Sequence, residues 1–142
     1  MGTNLAQASK EMDDIATMIH KEVDKVTKEL VETIYDILTG SPPYGTPIDT
    51  GWASANWMIN AGMPTPGTVA DEGSASTAKK NSQNSLATFL NSDLSGVDSI
   101  YIDNRVSYID KLNNGTSDQS PRDFVELAVS IGRALLTRKR IR

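Results

Sequence analysis

Trp52-Ala53-Ser54-Ala55-Asn56-Trp57-Met58-Ile59-Asn60-Ala61 is the stretch that decides the fold class of this chain. Ala53, Ala55, Trp57, Ile59 and Ala61 alternate with more polar neighbours, the two-residue period of a half-buried strand. The alanines leave the first half ambiguous and admit a helical turn ahead of the strand. Residues 97–104 read as a second and clearer strand, through Ile100-Tyr101-Ile102. Without these two segments the chain would read as all helix.

Upstream, residues 4–38 read as one long helix. Met12, Ile15, Ile19, Val23, Val26, Leu30, Ile34 and Ile37 follow each other in steps of three and four, and charged residues fill the opposite face. Gly40 and Pro42-Pro43 supply the stop. At 1.5 Å per residue such a helix runs roughly 50 Å. That exceeds the width of a compact domain of this length, whose radius of gyration is about 14 Å. The helix therefore either breaks, or projects and packs on another subunit. Residues 41–51 are a turn-rich connection.

Downstream, residues 62–80 turn to Gly, Pro, Ser, Thr and Ala and end in Lys79-Lys80. This composition predicts a flexible loop, or an arm ordered against a neighbour. A short helix is expected over 82–91, two helical turns over 107–113, and a last helix after Ser120-Pro121-Arg122-Asp123. There Ser120 is the expected cap and Asp123 completes a capping box. The expected fold is α+β: a long N-terminal helix, a small antiparallel sheet and a C-terminal helix packed on one face.

The 142 residues and 38% hydrophobic content suit a single domain spanning 1–142. The formal charge of -4 argues against generic nucleic-acid binding, which needs clustered Lys and Arg. The charge is uneven, however. The tail 136–142 is basic, with Arg138, Lys139, Arg140 and Arg142; it is either a frayed, solvated end or a contact for passing DNA or an acidic partner. No cysteine is present, which excludes disulfides, zinc–thiolate sites and Cys nucleophiles. No apolar run approaches the ~18 residues of a membrane span, and no signal-peptide pattern opens the chain. A protein made in a reducing, soluble compartment is expected. The single histidine, His20, lies beside the helical stripe, with no second His or Cys to join it in a metal site.

Ile48-Asp49-Thr50-Gly51 is the one catalytic temptation, because Asp-Thr-Gly carries the carboxylate of aspartic proteases. Such enzymes are nearly all β, and their Asp ends an apolar strand, whereas Thr46-Pro47 precedes this one. The structural reading is that Asp49 caps the following turn, with Gly51 permitting it. Phosphate-loop and dinucleotide fingerprints are absent. No cofactor, metal or small-molecule substrate is expected, and the chain reads as no enzyme.

Two blocks carry a more specific pattern. The first is Pro47-Ile48-Asp49-Thr50-Gly51 with Ser54-Ala55-Asn56-Trp57. The second is Ile102-Asp103-Asn104, then Tyr108, Leu112, Gly115, Ser117, Gln119 and Pro121, followed by Phe124-Val125. Together, over about residues 46–132, they resemble the tail-completion proteins of long-tailed bacteriophages, the group of the lambda minor tail protein Z. The chain departs from that pattern at Trp52, where a basic residue is usual, at Ser107, where Pro is usual, and at Asn113-Asn114, where an acidic residue is usual. The resemblance implies a structural virion protein at the head–tail junction, assembled in the bacterial host as a ring of six or twelve copies around the DNA path. Neighbouring neck, tail-tube, tail-terminator or head-completion proteins would flank it, and Asp49, Thr50, Gly51, Trp57, Asn104, Tyr108, Leu112, Gly115, Ser117, Gln119 and Pro121 would shape the fold or its subunit contacts. A head-completion or tail-terminator subunit of the same junction is the nearest alternative. A small aspartic protease using Asp49, and a free DNA-binding regulator, are alternatives of other classes.

Overall fold

α1 (Leu5–Thr39) is one unbroken helix of 35 residues in the computed structural model, which describes residues 5–141, the side chains as far as Arg138. Its length is therefore ~52 Å. The helix does not break; it projects. Val31, Ile34, Tyr35 and Leu38 are buried near its C-terminal end. Over residues 5–23 every residue except Ala8 is exposed. Gly40 ends the helix, its amide donating to Ile37 O at 3.2 Å. The chain then folds back, and Thr46 N donates to Leu38 O at 3.0 Å. Gly45 makes this return possible, since a Cβ there would stand 1.9 Å from the Gly40 oxygen.

The ambiguous alanine stretch contains both elements. α2 (Trp52–Ala55) is a single helical turn that buries Ala53 and Ala55, and β1 (Trp57–Ala61) follows after Asn56. β1 pairs antiparallel with β2 (Ile100–Asn104), Trp57 opposite Asn104 and Ile59 opposite Ile102. Trp57 and Ile59 point inward, as the period of two requires.

α3 (Ala75–Leu90) lies against β1. It begins seven residues before the expected 82, so the expected loop over 62–80 is corrected: residues 75–80 are helix. Ser74 caps it, accepting from Thr77 N at 3.3 Å. Ala78 and Ser82 are the small buried residues that let α3 approach the strand. The rest of that segment is tied down through polar groups, which a criterion of apolar content overlooks. Thr65 N donates to Asp103 Oδ2 at 2.8 Å, Arg105 to Pro66 O at 2.8 Å, and Trp52 Nε1 to Ala70 O at 2.9 Å.

α4 (Ile109–Asn113) and α5 (Phe124–Ile141) complete the chain. The expected capping box of α5 does not form. Ser120 is buried and gives its hydroxyl to Gly45 O at 2.6 Å. Asp123 adopts a left-handed conformation with φ 61°. The first turn is capped instead from α4, by Asn113 Oδ1 accepting from Val125 N at 3.0 Å. α5 then runs antiparallel along α1, with Ser120 beside Gly45 and Gly132 against Ile34. Contact there is close: a Cβ on Gly132 would sit 2.8 Å from Ile34 Cγ1. The basic segment 136–142 continues α5 as far as Ile141; Arg142 and the side chains of 139–141 lie outside the described residues.

One apolar core joins these parts. Val31, Ile34, Tyr35 and Leu38 of α1 meet Trp57 and Ile59 of β1, Phe89 of α3, and Phe124 and Ala128 of α5. A buried polar chain crosses it. Trp57 Nε1 donates to Thr46 Oγ1 at 2.8 Å, and Thr46 Oγ1 donates to Leu38 O at 2.7 Å. Ser82 Oγ donates to Trp57 O at 2.5 Å, which leaves Tyr35 OH to donate to Ser82 Oγ at 2.7 Å. The class is α+β, with the long N-terminal helix, antiparallel pair and C-terminal helix expected. Among the described residues no helix is long and apolar enough to cross a membrane.

Candidate functional site

Gln119 joins the two sequence blocks. Its carboxamide has the same donor and acceptor as a peptide group, and it pairs with one. Ile48 N donates to Gln119 Oε1 at 2.7 Å, and Gln119 Nε2 donates to Ile48 O at 2.7 Å. The two residues lie 71 apart in sequence. Ser120 Oγ, bonded to Gly45 O, fixes the other end of the same segment.

The corner so formed encloses a cavity of about 480 Å³, walled by Asp49, Thr50, Gly51, Tyr108, Leu112, Ser117 and Gln119 among others. Each of these was a candidate from sequence, so residues from both blocks share one wall. Gly115 turns the chain with φ 93°, and Ser117 Oγ accepts from Gln119 N at 3.2 Å. Gly115 and Pro121 line the adjoining shallow cleft with Ser117 and Gln119.

Trp57 and Asn104 stand apart from this wall and hold it from behind. Trp57 is in the core. Asn104, opposite it in the sheet, donates to Ala53 O at 2.8 Å and accepts from Val106 N at 3.1 Å. It thus pins the turn that follows Gly51 to the end of β2.

Asp49 does not cap that turn, contrary to expectation. Thr50 Oγ1 accepts from Trp52 N at 3.3 Å, and the left-handed Gly51, φ 83°, turns the chain into α2. Asp49 is exposed, in an irregular segment rather than at a strand end. Its carboxylate acts on Tyr108. Desolvation, then the charges of Asp71 and Asp49, push the Tyr108 hydroxyl pKa up, so the phenol stays neutral to higher pH.

Asp71 and Glu72 belong to the stretch 62–80, where composition predicts a flexible loop. Both line the corner, and Ser107 donates its hydroxyl to Asp71. Asn113, which caps α5, and Thr46, which joins Trp57 to α1, also had no local signature. Their partners are distant in sequence, and only Pro47 after Thr46 hinted at a special backbone.

Comparison of the chain with protein-family models, with curated proteins and with solved structures finds no match in any of the three.

Gln119→Ala should leave the protein folded, because Gln119 is exposed and lies outside the core. The loss should be about 1 kcal/mol, the net worth of a solvent-accessible pair of hydrogen bonds. Amide hydrogen exchange at Ile48 should accelerate several-fold while α3 amides stay protected. Unchanged exchange at Ile48 would show that the bridge does not hold the corner.

Proposed function

We propose that this chain is a structural subunit of the head–tail junction of a long-tailed bacteriophage, a tail-completion or neck component. Its role there is to complete the tail end and join it to the head, as one copy in a ring around the DNA path, without turnover of a substrate. The observation that carries this reading is the Gln119–Ile48 bridge. The two blocks whose residues resemble the tail-completion family lie far apart in sequence, and they form a single corner in space. Segments that build one corner have a physical reason to occur together. The exposed apolar stripe on the first half of α1 adds support, since a subunit of an assembly has partners to cover such a surface.

The test is made in the phage that encodes the chain. Gold-labelled antibody against the protein should mark the neck of intact virions. Interrupting the gene should give lysates with filled heads and free tails that do not join. Infectious, joined particles from that lysate would refute the proposal, as would label found elsewhere on the virion or on none. Label on the head side of the joint would favour the head-completion alternative.

A further inference from the structure

Residues 5–23 of α1 carry an apolar line that the other described residues leave largely open. Leu5 is 90% exposed, Met12 70%, Ile15 57%, Ile19 58% and Val23 55%. The line continues the stripe that farther along the same helix meets the core, at Leu30, Ile34 and Ile37. It is therefore built like a packing face and lacks its partner.

α5 carries a second uncovered line, at steps of four, four and three. Leu127 is 37% exposed, Ile131 half-buried, Leu135 46% exposed, and exposed Arg138 stands at the end. This line borders the face of α5 that packs on α1, each apolar residue standing three places after Phe124, Ala128 and Gly132, and Leu127 and Leu135 stay exposed along it.

We propose that the projecting half of α1 seats on the outer line of α5 in a second copy of this chain. Charge favours that pairing. Residues 5–23 hold four acidic residues against two lysines, and residues 124–142 hold five basic residues against one glutamate. Charge also disfavours the simplest rival, two α1 arms side by side. Glu11 follows one border of the apolar line and Asp13 the other, so two arms would bring carboxylates together.

Area sets how the copies must be joined. The arm is a cylinder ~28 Å long and ~10 Å across, and covering half its side hides roughly 450 Å². A stable interface takes about 800 Å² from each partner. One arm on one α5 falls short of that. A pair in which each copy both gives its arm and receives one reaches it across a single interface. In a head-to-tail ring each joint stays at one arm, and closure of the ring has to add what the area lacks. This inference stands whether or not the chain serves a phage neck.

Sedimentation equilibrium of the purified full chain at about 100 µM tests it. The wild type should exceed monomer mass, and should lose mass in 0.5 M salt as the charge pairing is screened. Ile15→Asp with Ile19→Asp should give monomers. Both sites are exposed, so circular dichroism should show the helix content kept. Leu135→Ser with Arg138→Glu should also give monomers, and Arg138→Glu alone should raise the dissociation constant at least severalfold if the double variant loses helix. A monomeric wild type overturns the inference. So does an arm variant that assembles normally. Normal assembly of the folded α5 variants, with the arm variant monomeric, overturns it too, because the arm then docks elsewhere.

Discussion

Phe124→Ala is expected to lower the unfolding free energy by about 3–5 kcal/mol, the range for deleting a fully buried aromatic ring. Phe124 has 0% exposure and opens α5, the helix that closes the core over α1. The buried cluster it belongs to also draws on α1, β1 and α3, parts of the chain that cannot all close on the space left behind. Domains of this size are stable by only about 5–15 kcal/mol, so the variant should fold marginally. Denaturant titration of wild type and variant measures this, with the midpoint falling and the slope unchanged. A loss below about 1 kcal/mol would mean that Phe124 is not the keystone its burial indicates.

Thr46→Val should cost about 2–3 kcal/mol although it barely changes shape. Thr46 is 0% exposed and its hydroxyl stands between two partners. It accepts from Trp57 Nε1 and donates to Leu38 O. Valine satisfies neither. Leu38 O keeps one donor, Thr46 N, so the larger penalty falls on the indole N–H, buried with no water to turn to. A double-mutant cycle with Trp57→Phe separates the two effects. Removing both hydrogen-bonding partners should cost less than the sum of the single losses, by about 1 kcal/mol or more. Additive losses would mean that Thr46 matters only through its backbone.

Local pattern made much of the fold legible. The three-and-four spacing from Met12 to Ile37 placed the C-terminal end of α1 within a residue of Thr39, because helix period and a Gly–Pro stop are properties of neighbouring residues. Alternation placed Trp57 and Ile59 inside for the same reason. The candidate site was half legible. Asp49, Tyr108, Leu112, Ser117 and Gln119 were singled out, but not their meeting in one corner, and Asp71 was missed. The misreadings share a cause. Ser120 at the head of a helix has the local chemistry of a cap, and it turned away because Gly45 O lay within reach. Residues 75–80 carry too little apolar surface to predict order, yet they are helix, because Ala78 and Ser82 permit close packing on β1.

By itself, then, the order of residues determined most of the helix and strand segments, though not the first turns of α3, and also where α1 stops and which side chains have an apolar face to hide. Tertiary structure alone decided which donors and acceptors meet and how much of the α1 stripe is covered. Those outcomes depend on groups brought together from positions such as 48 and 119, and no short window contains both.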